Sequence, residues 1–217
     1  MMYEDIVYKL MTHFTSGEFE AEAIRARVQF SKIAGVFDEE APDFEVKMAQ
    51  YTDWYLFTRP LADFNETPVR QSIIDKVFVI PDEDKIYYQN LANNRHSLFE
   101  FIKLKGADVH VKDLYSGYKL VIKDSKVNAG FEKDQIFEAR LFPDGDNFVF
   151  ANAFCFHPHE ATKYISKEVK RVNTLGESER DSAREELIEK LFAMKYKTEQ
   201  YRHVDVKDIY SNEPRLR

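Results

Sequence analysis

Cys155, His157 and His159 stand two residues apart at the end of an aromatic-rich run. On an extended strand all three side chains would share one face. Thiolate and imidazole are ligands that zinc accepts in a tetrahedral set, which Glu160 or His203 could extend. Pro158 works against that alignment, because it predicts the start of a helix directly after His157. His157 is then explained as a strand end or helix N-cap, and Cys155 as a small apolar core residue. The sequence favours this structural account, so no metal or other cofactor is expected, with Cys155, His157 and His159 as the weak candidate ligands. Glu132, Asp134 and Glu138 are the carboxylates best placed for acid–base or Mg²⁺ chemistry, but Glu132-Lys133-Asp134 reads as a solvated turn. No Gly-x-Ser-x-Gly, phosphate loop or Gly-x-Gly-x-x-Gly occurs, so a catalytic nucleophile has nothing to support it.

These residues sit at the end of a predicted β region, Ser97–Phe156, flanked by helical sequence. Ser97–Leu104, Asp108–Leu114, Tyr118–Lys123, Gln135–Phe142 and Asn147–Phe156 read as strands. Pro143-Asp144-Gly145-Asp146 closes the last pair as a hairpin. In the final strand Phe148, Phe150, Phe154 and Phe156 alternate with small apolar residues, the pattern of a strand buried on both sides. Short strands following one another predict a small antiparallel β-barrel or curled sheet.

Ahead of it, residues 3–14 and 18–34 predict helices separated by Thr15-Ser16-Gly17. An aromatic helix through Phe44, Met48, Tyr51 and Tyr55 ends at Arg59-Pro60. Thr67-Pro68 starts a short helix, and Pro81-Asp82-Glu83-Asp84 opens another. Behind the β region, His157-Pro158 begins a helix to about Val172, and a second runs from Glu177 to about Tyr201. The expectation is an α+β chain: a helical N-terminal region (1–94), a barrel core (95–157), a C-terminal helical hairpin (158–201) and a tail (202–217), combined in one composite domain.

The composition is that of a globular chain. Eighteen Phe and twelve Tyr among 217 residues supply a large core, with Tyr suited to half-buried surfaces. A single cysteine excludes an internal disulfide and points to a reducing compartment. The N-terminus lacks the basic and apolar regions of a signal peptide, and no apolar run is long enough to cross a bilayer. A cytoplasmic protein that meets no membrane is expected. The net charge is −7, and residues 1–66 hold 13 acids against 6 bases, which disfavours nucleic acid as a partner. Lys163, Lys167, Lys170 and Arg171 share one helix face, best explained as solvated.

Val109–Gly117 recurs as Val204–Asn212 with six of nine positions identical. A tail shaped like a barrel strand could add to a sheet edge in its own chain or a neighbour's. Chance β-strand-then-turn composition explains the echo equally well. Val204, Val206, Ile209 and Tyr210 are the candidate partner-binding residues.

At Trp54–Pro60, Thr67-Pro68, Asp113–Gly117 and Ala139–Asp146 the chain resembles an uncharacterised family of bacterial cytoplasmic proteins. The resemblance covers roughly residues 44–160. It implies a helix-flanked β module of no known activity; the cysteine-rich metal-binding tail of some relatives is missing here. A more distant resemblance, at Val111–Gly117, is to PilZ-type cyclic-di-GMP receptors. It implies a phosphate-clamping basic site, for which Arg95, Lys112, Lys119 and Arg140 are the candidates. The Ser is displaced by one place, and only Arg95 precedes the barrel. The function expected is a non-enzymatic binding or scaffold protein that recognises a protein partner or a second copy of itself through barrel and tail. Nucleotide or nucleic-acid binding on the barrel is the alternative.

Overall fold

The computed structural model describes residues 3–213. The chain divides into two compact units: one runs to Arg95 and takes in Phe142–Asp146 and Ala151–Ala153; the other holds His96–Leu141, Asn147–Phe150 and everything from Phe154 onward.

The first unit is helical: α1 (Tyr3–Phe14), α2 (Glu20–Ala34), α3 (Phe44–Phe57), α4 (Pro68–Ile74) and α5 (Lys85–Ala92). Ile6, Leu10 and Phe14 lie one turn apart on α1 and are fully buried, the apolar stripe that makes an amphipathic helix stick. Gly17, with φ +56°, takes the left-handed turn between α1 and α2. Tyr55 on α3 donates its hydroxyl to the Phe14 carbonyl, and Phe30 on α2 meets both Tyr51 and Trp54 with centroids 5.5 Å apart. Pro68 opens α4 at its first position, as its fixed φ and missing N–H allow. Glu22, 5% exposed, is one of the unit's buried charges. It pairs with Arg25 and Arg59 and accepts the Ala62 N–H at 3.2 Å.

The second unit is built on a sheet of β1 (Arg95–Lys105), β2 (Asp108–Asp113), β3 (Lys119–Ile122), β4 (Ile136–Asp144) and β5 (Asn147–Phe156), in the order β3-β2-β1-β4-β5. The helices α6 (Thr162–Asn173), α7 (Glu177–Gln200) and α8 (Val206–Ile209) follow. The barrel expectation is corrected: the sheet is antiparallel but neither closed nor strongly curled. The strand order explains why, since β3 and β5 stand at opposite edges and β3 has only four residues. Strand alternation gives the sheet two distinct sides. On one, Leu98 and Ile136 join Ile165, Val169, Leu187 and Leu191 of α6 and α7. On the other, Phe99, Phe101, Val109, Val111, Phe137 and Leu141 pack with half-buried Phe131, Phe148, Phe150, Phe154 and Phe156.

For the tail, an added strand and chance composition are equal expectations. The echo of β2 forms no strand: Val206–Ile209 is a single helical turn, and Asp205 accepts the Lys207 N–H at 2.8 Å as its N-cap. Ile209 and Tyr210 are buried in the helix-covered core of their own unit, with Val204 and Val206 half-buried against it. The same Val-x-Val-Lys-Asp string is a strand where β1 and β3 flank it and a turn where only a helical core does, so tertiary setting overrides local preference. Asp205→Ala is expected to cost about 1 kcal/mol, the usual weight of an N-cap. Urea unfolding midpoints measure it, and an unchanged midpoint would show that the cap contributes nothing. Among the described residues, no helix is long and apolar enough to cross a membrane.

Candidate metal centre

Glu138 and Arg140 are the charged residues within the largely buried stretch Ile136–Phe142 of β4, whose third charged residue, Asp144, is exposed at its end. Phe137, Ala139 and Leu141 point to the phenylalanine side, so alternation places Glu138 and Arg140 on the helix-covered side. Cys155 lies between Phe154 and Phe156, both on the phenylalanine side, and therefore faces the helices too. The His157 N–H donates to the Ile136 carbonyl at 3.0 Å; counting back along antiparallel strands sets Cys155 across from Glu138.

A ring nitrogen of His157, the Cys155 sulfur and a Glu138 carboxylate oxygen consequently lie within 4.8 Å of one another. Cys155 is 3% and His157 1% exposed. His157 and Glu138 each have one polar atom anchored and one without a partner. His157 Nδ1 is 2.9 Å from the Tyr210 hydroxyl, leaving Nε2 without a hydrogen-bond partner. Glu138 Oε1 is 2.9 Å from His96 Nε2, while its Oε2 has no partner. Buried polar atoms are rarely left unpaired. Here two orphans belong to one cluster with a thiol.

The electrostatics divide the cluster in two. Burial and the Arg140 guanidinium push the His96 imidazole down, but hydrogen bonds to Glu138 and Glu185 outweigh them and lift it to about 9. His96 is therefore a cation at neutral pH, donating from Nε2 to Glu138 and from Nδ1 to Glu185 at 3.0 Å. Arg184 lies over the Tyr115 ring, 4.6 Å from its centroid, and reaches the His96 carbonyl at 3.4 Å. Burial, then the nearby Lys195 cation, push His157 down to about 3, so its ring is neutral. Burial first, then Glu138, raises the Cys155 thiol well above its ordinary range. It is inert as a nucleophile, but a bound cation would draw off its proton.

Of the three weak candidate ligands Cys155, His157 and His159, the structure brings the first two together with Glu138. His159 leaves the set because the chain enters a 3-10 turn at His159–Ala161; its ring lies at the surface, 3.1 Å from Glu132. Glu138 takes its place. Its signal in the sequence was a carboxylate at the centre of a buried strand, legible once the strand's two apolar sides are recognised. His96, Glu185 and Tyr210 gave no such signal as supporting groups.

The candidate phosphate-binding residues stand otherwise. Lys112 and Lys119 are cross-strand partners on β2 and β3. Arg140 is 3% exposed on β4, with β1 between it and β2. Arg95 is half-buried at the start of β1, in the other unit.

Residues 3–192 match a family of unknown function (DUF7986), a longer span than the segment 44–160 on which a family resemblance was expected, and no likeness to PilZ-type receptors accompanies it. No curated protein and no solved structure matches the chain.

Proposed function

We propose, for a chain that belongs to the DUF7986 family and takes no activity from it, that the protein binds one thiophilic divalent cation of the zinc class through Glu138, Cys155 and His157. The observation that carries this is a buried cluster in which a His157 ring nitrogen, a Glu138 carboxylate oxygen and the Cys155 sulfur lie within 4.8 Å of one another, while His157 Nε2 and Glu138 Oε2 have no hydrogen-bond partner. Thiolate with imidazole selects zinc-like ions over Mg²⁺ or Ca²⁺, which take oxygen ligands. Ligand atoms around tetrahedral zinc lie about 3.3–3.8 Å apart, given bonds of about 2.0–2.3 Å. The present cluster, within 4.8 Å, needs to close by about 1 Å on loading. Cys155 would bind as thiolate and release its proton. His96 and Tyr210 supply the outer hydrogen bonds that orient the ligands. This reading departs from the expected protein partner or second copy and from the expectation that no metal is bound.

Purified metal-free full chain, titrated with Co²⁺, is expected to take up one equivalent with a thiolate-to-cobalt charge-transfer absorption. Cys155→Ser should abolish the band, and His159→Ala should leave it intact. No band in folded wild type, with no metal in protein purified without chelator, overturns the proposal.

A further inference from the structure

We infer that the C-terminal segment Val204–Asn212 is a strap over the metal centre, whose docking and the cation's retention are coupled; the inference rests on the metal reading above. Three observations carry it.

First, the strap reaches a ligand directly. The Tyr210 hydroxyl is 2.9 Å from His157 Nδ1, with both groups buried and the two rings edge to face at 5.9 Å. For Nε2 to offer its lone pair to a cation, the ring proton must sit on Nδ1, where it donates to the Tyr210 oxygen. Cation binding therefore selects one tautomer, and the docked strap supplies the acceptor that tautomer needs.

Second, the strap is held by a polar clasp at its far end. Asn212 Oδ1 accepts from the Tyr164 hydroxyl at 2.7 Å and from Lys190 Nζ at 2.6 Å, and its Nδ2 donates to Glu168 at 3.0 Å. Glu168, itself 2% exposed, is paired with Arg171. The clasp residue Asn212 lies just beyond the buried Ile209–Tyr210 pair in the chain.

Third, the segment has little structure of its own. Its one helical turn, Val206–Ile209, follows the exposed residues Tyr201–His203. An isolated turn is unstable in water, so the segment is ordered by what it docks against. A group bound beneath it adds to that docking by mass action. The resemblance to β2 then marks a segment whose shape is set by its surroundings.

Zn²⁺ is the probe, on the full chain. Loading is expected to slow hydrogen exchange at the Ile209 and Tyr210 amides at least about tenfold. Tyr210→Phe should still bind one Zn²⁺ but release it to a chromogenic chelator about 10- to 100-fold faster, the range seen when an outer-sphere partner is lost. Should Tyr210→Phe fail to fold, Asn212→Ala opens the clasp alone and should speed release about threefold. Cobalt binding at Cys155 with unchanged release and exchange in these variants overturns the strap and leaves the metal centre standing. Absence of metal binding in wild type overturns both.

Discussion

Glu138→Ala is expected to lower the unfolding free energy of the metal-free protein by roughly 3 kcal/mol at pH 7 and to abolish the cobalt band. Removing one partner of a buried ion pair leaves the other charge uncompensated, typically at a cost of about 3–5 kcal/mol. His96 has an escape, because an imidazolium can shed its proton. With the ring held at about 9, deprotonation at pH 7 costs roughly 3 kcal/mol, and that limits the loss. Glu185 retains part of the pairing but is half exposed, so it cannot replace Glu138. Glu138→Gln, which keeps an acceptor for His96 Nε2, should lose about half as much. The pH dependence has a definite sign. His96 is raised above its ordinary 6.5, so its stabilisation is complete below that value and fades as pH rises through about 9. The gap between wild type and Glu138→Ala should therefore be wide at pH 6 and narrow at pH 10, measured by urea unfolding in chelator. A gap that does not vary with pH would refute the charged imidazole.

In the other unit, Glu22→Ala should cost about 3 kcal/mol. Three donors converge on this carboxylate: the guanidinium groups of Arg25 and Arg59 and the Ala62 N–H. They join α2 to the segment after α3. Arg59 keeps Gln29 at 3.0 Å and the Pro60 carbonyl at 3.3 Å when Glu22 is gone, which holds the loss to the lower part of the range for buried pairs. Burial raises the Glu22 carboxyl, but the hydrogen bonds from Arg59, Arg25 and Ala62 outweigh it and hold it below 4.5. A depressed carboxylate stabilises fully above its unfolded value, and the contribution is lost as pH falls through the folded one. Wild type and Glu22→Ala should thus converge in acid and separate by pH 6. Equal midpoints at pH 6 would show that Glu22 holds nothing together.

The elements were legible because their signals are local. The Ile6–Leu10–Phe14 stripe, the Gly17 break, Pro68 at a helix start and the Gly145 turn each depend on neighbours within a few residues. Closure into a barrel was not legible, because short strands in succession look alike whether the last returns to the first or stays at the far edge. The tail stayed open between strand and coincidence for a related reason: Val-Asp-Val-Lys-Asp-Ile carries strand composition, and only the helical core around Ile209 and Tyr210 decides against it. Of the metal centre, Cys155 and His157 could be read from a spacing of two. Glu138 could not, since it comes from a different strand and register alone brings it there. Sequence order also hid His96 and Glu185, 89 residues apart yet joined through one ring nitrogen.

The two-sided character of β4 bears on how this chain can diverge. From Phe137 to Leu141 every second residue serves a phenylalanine layer, and Glu138 and Arg140 between them face the helix-covered side. Replacement of a single side chain disturbs one layer. Loss or gain of one residue would exchange them, sending Glu138 and Arg140 among phenyl rings and Phe137 toward His96. Length in this stretch is under tighter constraint than identity, and descendants of this sequence should vary their loops before they vary the count from Ile136 to Leu141.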